Sequence, residues 1–185
     1  MAVEKKDQPK WVDLGRVDLR HVDIADSLEE IAAVPAGVDF DEAMSILVAE
    51  LGFADDAVVV MLPSPMGEVA AHRDQLPHIV EKRADARERY VRLAIATLRD
   101  PYEVWEIQYD DETSRHAYIG LFSGKRQMLV VVQHLHGRIL WNFMHCDHKS
   151  LNKHRHGKLM YERPKKTKGE PDEDSPETIP VEGTP

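Results

Sequence analysis

Residues 101–144 read PYEVWEIQYDDETSRHAYIGLFSGKRQMLVVVQHLHGRILWNFM, and this stretch decides the fold. Four runs within it, 104–109, 116–122, 127–134 and 138–144, have the length and the β-branched and aromatic content of strands. Their connectors are Asp110-Asp111-Glu112-Thr113, Ser123-Gly124-Lys125 and His136-Gly137. Joins this short, made of turn-forming residues, link antiparallel neighbours rather than crossing over a sheet. The expectation is a four-stranded antiparallel meander.

Upstream, Pro77 suits the first turn of a helix that can run to about residue 99, where Pro101 ends it. Placing residues at 100° intervals puts Leu76, Val80, Ala84, Tyr90, Val91, Ala94 and Leu98 on one face. Arg87 falls in the middle of that face, with Arg83 on its flank. A charge there needs an anion, a carboxylate or several carbonyls, because an unpaired buried charge costs several kcal/mol. Downstream, 145–157 reads as a polar, His-rich loop and 158–162 as a short final strand. From Pro164 the chain is Pro, Lys, Glu, Asp, Ser and Thr with no core-forming residues, the composition of a disordered tail.

The N-terminal part is less regular. Residues 1–10 are polar and expected to be flexible. Partial alternation over Trp11–Ile24 suggests one or two short strands or an extended arm. Asp26 or Ser27 could cap a helical turn over 28–33 that Pro35 stops. Asp39-Phe40-Asp41-Glu42 reads as an acidic capping box, starting a helix with Phe40, Ala43, Met44, Leu47, Val48 and Leu51 on one stripe and Gly52 as its stop. Residues 57–62 form a strand pattern broken by Pro63-Ser64-Pro65, and 66–69 turn back as a second strand. The division expected is 1–10 flexible, 11–74 an acidic α/β part, 75–163 a second domain and 164–185 a tail.

At 185 residues the chain can bury one sizeable core. No apolar run approaches the roughly 18 residues of a membrane span, so no membrane partner is expected. Met1-Ala2-Val3-Glu4-Lys5-Lys6 lacks the apolar region of a secretory signal. Cys146 is the only cysteine, which excludes an intrachain disulfide and suits a reducing compartment. The net charge of −9 is unevenly spread. Residues 1–77 carry 6 Lys/Arg against 16 Asp/Glu (−10), residues 78–168 carry 18 against 11 (+7), and residues 169–185 carry 6 acids and no base (−6). Phosphate binding draws on local clusters of cations, so the basic middle block outweighs the acidic total.

That block holds the residue types of metal-independent RNA cleavage. The 2′-OH must lose a proton, the 5′-oxygen must gain one, and cations must stabilise the charged transition state. His78, Lys82, Arg83, Arg87, Arg115, His116, Tyr118, Arg155 and Tyr161 are the candidates. Ordinary structural roles stand beside these: His78 could decorate a first helical turn, Arg87 could pair with Glu103 or Glu106, Lys82 and Arg83 could be solvated helix charges, and Arg155 and Tyr161 could pack the C-terminal segment. The histidines at 145, 148, 154 and 156, with Cys146 and Asp147, lack the paired ligand spacing of a structural zinc site, and neither a metal nor another cofactor is expected.

The order of His78, Arg87, Pro101/Glu103/Val104/Trp105, Tyr118-Ile119, Val130-Val131-Val132, Asn142-Phe143 and Arg155/Gly157/Leu159/Tyr161 resembles the phage branch of the barnase–EndoU–colicin–RelE-like (BECR) nucleases, found fused to phage head-morphogenesis proteins. The Pro63-Ser64-Pro65-Met66-Gly67 turn also looks like the family's, so the likeness spans about residues 11–162. The resemblance implies an α+β fold, with a long helix packed on a four-stranded antiparallel sheet and the active site on the sheet's open face. It implies a metal-independent endoribonuclease of phage origin, acting through 2′-OH transesterification to a 2′,3′-cyclic phosphate. His78 would be the acid/base, Arg87 and Arg155 the phosphate clamps, and Asn142 and Tyr161 the orienting or proton-handling groups. Lys82, Arg83, Arg115 and Tyr118 would bind substrate. RNA is the implied partner, with a phage head or portal protein and an immunity protein as further candidates, and the bacterial cytoplasm or the virion as the location. Where relatives often carry a hydroxyl, this chain has Trp141-Asn142, and an amide cannot supply a hydroxyl proton. The alternative is therefore an inactive nucleic-acid-binding or protein-interaction module of a phage head or portal assembly.

Overall fold

The structure, a computed structural model, describes residues 2–165. The tail expected from Pro164 therefore lies outside the described residues beyond Lys165. The architecture is α+β, built on one seven-stranded, mostly antiparallel sheet. In chain order the elements are α1 (Phe40–Leu51), β1 (Val59–Leu62), β2 (Val69–His72), α2 (Leu76–Val80), α3 (Val91–Arg99), β3 (Glu103–Gln108), β4 (Ser114–Gly120), β5 (Gln127–His134), β6 (Arg138–Cys146), α4 (His148–Asn152) and β7 (Lys158–Glu162). The strands lie side by side as β1-β2-β6-β5-β4-β3-β7.

The expected meander β3–β6 forms the middle of this sheet, but the sheet has seven strands rather than four. β7 returns to pair antiparallel with β3, and the β1–β2 hairpin joins β6 through a single parallel rung, Ala70 opposite Ile139. These are long-range pairings, which alternation along one strand does not specify.

The long helix expected over 77–99 is also corrected. It is two short helices, α2 and α3, separated by 3-10 turns at Arg83–Asp85 and Arg87–Tyr90. Ala86 sits between the turns in the left-handed region (φ 41°), which no α-helix interior accommodates. The break lets Arg83 fold back onto the fully buried Glu88, donating to both carboxylate oxygens at 3.0 and 2.8 Å. It also turns Arg87 toward β6. A continuous helix would have buried these charges in its apolar stripe.

The acidic capping box is present at α1. Asp39 accepts from the Glu42 amide, Glu42 accepts from the Val38 amide, and Gly52 ends the helix in the left-handed region (φ 81°). Trp11–Ile24 is not a strand. Asp18 and Asp23 accept from the backbone amides of Arg20 and Ala25 and curl the chain into 3-10 turns at Leu19–His21 and Ile24–Asp26. Leu28 is extended and bridges Phe122 in place of the expected helical turn. The loop expected at 145–157 contains α4, capped by Asp147. Among the described residues no helix is long and apolar enough to cross a membrane.

Both faces of the sheet are covered in part. One packs Val104, Tyr118, Val130 and Phe143 against Leu47 of α1 and Leu98 of α3. The other packs Trp105, Ile107, Ile119 and Leu129 against Leu19, Leu151 and Trp11. The face away from α1 and α3, where an open active site was expected, is thus largely roofed by the N-terminal segment and α4. At the end of the helix-side face next to the β1–β2 turn, Glu106, His134 and Arg138 remain partly exposed.

Candidate active site

Two of the candidate arginines have their donors occupied inside the fold. Arg155 is 1% exposed and donates through Nε and Nη2 to Glu103, at 2.7 and 2.8 Å, and through Nη1 to the Val17 carbonyl and Asn152 Oδ1. Glu103 is fully buried and also accepts from Trp105 Nε1 (2.7 Å) and Arg16. Arg83 is bound to Glu88 as described. Tyr161 is half-buried on β7 opposite Val104, at the periphery of the helix-side core. Lys82 is exposed in the break between α2 and α3.

A second group gathers along β6. The β5–β6 ladder shifts register between Val131 and Val132, so that Trp141 is an extra residue of β6. Such a bulge bends the strand and re-aims its side chains. The His78 ring lies 4.9 Å from that of Trp141, and the Arg115 guanidinium sits 5.3 Å from Trp141 and 4.5 Å from Tyr109. Asn142 Oδ1 accepts from Arg87 Nη1 at 2.9 Å and from the Phe143 amide at 2.8 Å. Arg87 Nη2 donates to Asp85 at 2.9 Å, and its Nε is buried with no partner. His78, Arg87, Asn142 and Arg115 therefore share one neighbourhood, far from Arg155 and Tyr161 in the strand order. His78 Nδ1 is 3.3 Å from Glu81 Oε1, which favours the proton on Nδ1 and leaves Nε2 bare.

The densest set of titratable groups is a third one, which the motif order did not single out. Directly paired and alternate positions put Glu106, His116, Tyr118, His134 and Arg138 on one face of four adjacent strands. His116 Nδ1 is 3.2 Å from His134 Nε2, and His116 Nε2 is 3.9 Å from Glu106 Oε1. At that distance Glu106 does not hydrogen-bond His116 Nε2, which is buried without a partner, but its charge favours a proton there. His116 Nδ1 then accepts from His134 Nε2–H, and His134 Nδ1 is left as the reactive atom. Burial, reinforced by His134 and Arg138, lowers the pKa of His116 to about 4, so this ring is neutral at pH 7. Burial and Arg138 lower that of His134 as well.

Arg138 has no carboxylate partner among the described residues, and its Nε is buried without an acceptor. Its guanidinium lies across Gly67 of the β1–β2 turn, where a Cβ would come within 2.8 Å of Nη1. Gly67 has φ 98°, a conformation that side chains disfavour. The same turn supplies Ser64, whose Oγ is 3.1 Å from the buried Tyr118 hydroxyl and donates to the Gly67 carbonyl. The Pro63–Gly67 turn thus borders the cluster on its Arg138 and Tyr118 side.

Elsewhere, His145 stacks on Tyr90, and His156 Nε2 donates to the Glu4 carboxylate at 3.0 Å. Among the described residues, no three His, Cys, Asp or Glu side chains group so as to hold a metal ion.

Glu, His and Arg side chains on one sheet face are residue types that phosphodiester cleavage can use. Residues 47–162 match the family described as phage-Barnase-EndoU-ColicinE5/D-RelE like nuclease 2. The chain belongs to this family. The matched segment begins within α1 and ends with β7, so the β1–β2 hairpin, α2, α3 and the whole central meander are part of this BECR-type nuclease domain. No curated protein and no solved structure gives a match.

Of the residues singled out from sequence, only Tyr118, and His116 among the wider candidates, belong to the sheet-face cluster. Glu106, His134, Arg138 and Ser64 were not identified. One signal was available: on strands of period two, Glu106 and Gln108 on β3, His116 and Tyr118 on β4, and His134 on β5 are polar or titratable residues placed in phase with core residues.

Proposed function

We propose that this BECR-type nuclease is a metal-independent endoribonuclease of phage origin, with its reaction centre on the Glu106–His116–His134–Arg138 face. The carrying observation is the file of titratable groups Glu106, His116 and His134 beside a guanidinium that has no internal anion. Arg138 holds the scissile phosphate bidentately. Glu106 removes the 2′-OH proton, the 2′-oxygen attacks phosphorus, and the P–O5′ bond breaks. Protonated His134 gives its Nδ1 proton to the departing 5′-oxygen. The products are a 2′,3′-cyclic phosphate and a 5′-OH. His116 is a positioning residue that holds the His134 ring and links it to Glu106. A bound phosphate offsets the effect of Arg138 on His134 and favours the imidazolium the step requires.

In this proposal His78, Arg87, Asn142 and Arg115 form a flank that contacts the RNA backbone, with Lys82 at its edge. Arg155 and Arg83 hold the fold together. The test is cleavage of single-stranded RNA in EDTA by the wild type and by His134→Ala, Arg138→Ala and His78→Ala. The proposal expects loss of about 100-fold or more for the first two and a smaller effect for the third. Activity abolished by His78→Ala and untouched by His134→Ala would return the acid/base role to His78.

The second reading is a binding module without cleavage. It is favoured by Asn142, whose amide oxygen is tied to Arg87 and to the backbone where relatives often have a hydroxyl. Intact RNA together with salt-sensitive binding selects it. A phage head, portal or immunity protein as partner is part of the same proposal, read by reconstitution with the purified candidate.

A further inference from the structure

Beside Glu106, on the side away from His116, the sheet opens into a groove of about 530 Å³. It runs between the N-terminal arm and strands β3 and β7, and its apolar lining comes from Pro9, Leu14 and Leu159. Gln108 and Lys158 supply its polar lining, together with Glu106 itself. The size is that of a small-molecule site, and mostly apolar walls with few polar groups are what such sites present.

The walls are held in place before any ligand arrives. Gln8 caps the edge of β3 where β7 does not reach, accepting from the Gln108 amide at 2.8 Å and donating to the Gln108 carbonyl at 3.1 Å. The Gly157 amide donates to the Pro9 carbonyl at 2.8 Å. Gly157 (φ 92°) packs so closely on β3 that any Cβ there would run into the Glu106 carbonyl. With its backbone groups already satisfied, Gln108 keeps its side-chain amide without a hydrogen bond among the described residues. It offers one donor and one acceptor site to whatever occupies the groove. Leu14 remains 48% exposed, an apolar side chain at the mouth with nothing over it.

We infer that this groove receives the nucleobase of the nucleotide whose 2′-OH is attacked. The inference rests on the nuclease reading above and follows from ribose chemistry. The base and the 2′-OH are on neighbouring carbons of one sugar, so a carboxylate that takes the 2′ proton has that base alongside it. Glu106 belongs to both the reaction centre and the groove, and no other residue does so. A planar base buries its faces against Pro9 and Leu14, and its hydrogen-bonding edge pairs with the Gln108 amide. Lys158, exposed at the rim and opposite Glu106 in the β3–β7 ladder, faces the backbone of the same strand of RNA. The N-terminal arm, which lies outside the segment shared with the family, thereby becomes part of substrate selection.

The test is a titration of the isotope-labelled full chain with the four nucleoside 3′-monophosphates and, separately, with inorganic phosphate, followed by NMR. At least one nucleotide is expected to shift the Leu14 methyls and the Gln108 side-chain amide, whereas phosphate shifts the His134 and Arg138 resonances and leaves the groove unchanged. Leu14→Trp, which fills the mouth from an exposed position, should weaken that nucleotide at least fivefold and leave phosphate affinity within twofold. Gln108→Ala should flatten the preference among the four bases. Nucleotides that move the same resonances as phosphate and leave the groove silent overturn the inference, as does an unchanged affinity in Leu14→Trp. The readout is binding, so a protein that fails to cleave RNA but fills the groove separates this inference from the catalytic proposal.

Discussion

Replacing Arg155 by Met separates a structural from a phosphate-binding role for the most deeply buried cation among the described residues. The substitution keeps much of the side-chain volume and removes four hydrogen bonds, two to Glu103, one to the Val17 carbonyl and one to Asn152. Breaking a buried pair by removing one partner costs about 3–5 kcal/mol, because the remaining charge is stranded. Here Glu103 keeps Trp105 Nε1 and Arg16, which pulls the cost toward the lower end. In a chain of this length that corresponds to a fall in Tm of about 6–20 °C. Thermal and urea unfolding measure it. The double variant Glu103→Gln/Arg155→Met removes the stranded charge and should regain at least half of the loss, since removing both members of a buried pair is far cheaper than removing one. Assayed well below its Tm, Arg155→Met should cleave RNA at a rate within a few fold of the wild type. A variant as stable as the wild type but unable to cleave would refute this reasoning and make Arg155 a catalytic group.

Three further outcomes follow from the same geometry. The buried His116 binds a proton less readily in the folded chain (pKa about 4) than in the unfolded one, so its contribution is complete above about pH 6.5 and is lost as pH falls toward 4. About 3 kcal/mol of stability should disappear across that window, with His134 and His145 acting in the same direction, and His116→Phe should flatten the dependence seen by urea unfolding at a series of pH values. Gly67→Ala forces a side chain into φ 98° and crowds Arg138; it should cost about 1–2 kcal/mol in unfolding and raise the KM for RNA. The Cys146 thiol is pushed up to about 12 by burial and by Asp147, so iodoacetamide at pH 8 should leave the native chain unmodified and label it only after denaturation.

The meander was legible because its signals are local. Strands β3–β6 and their connectors announce themselves by alternation and turn residues, and β5 and β7 begin and end where the sequence places them. The capped helix α1 is equally local. What was not legible depends on partners distant in the chain. Arg87 in an apolar stripe signalled a conflict, but its resolution needs Asn142, 55 positions away, and the Arg83–Glu88 fold-back that breaks the helix. Arg155 has the residue type and position expected of a phosphate clamp, and only its pairing with Glu103, 52 positions earlier, gives it an internal anion. The sheet-face cluster escaped for the opposite reason. Its members come from four strands and meet through register alone, with no sequence spacing to mark them.

The charge distribution gains a different meaning once the pairs are known. The basic excess over residues 78–168 first reads as a surface for nucleic acid, yet five of its ten arginines are paired with carboxylates. Arg83 meets Glu88, Arg87 meets Asp85, Arg92 meets Glu50, Arg155 meets Glu103 and Arg163 meets Asp100. The arginines of the sheet, Arg115 and Arg138, are left without a carboxylate among the described residues, one over the Trp141 ring and one beside the His116–His134 pair. A phosphate that reaches the sheet at β4 or β6 therefore meets a guanidinium with no internal carboxylate. Removing Arg138 alone should consequently reduce the salt dependence of RNA binding by close to one phosphate's worth, a slope change of about 0.7 for single-stranded RNA, while Arg83→Ala should leave the slope unchanged. Equal slopes for Arg138→Ala and the wild type would mean that RNA binds elsewhere, and the sheet-face cluster would lose its phosphate.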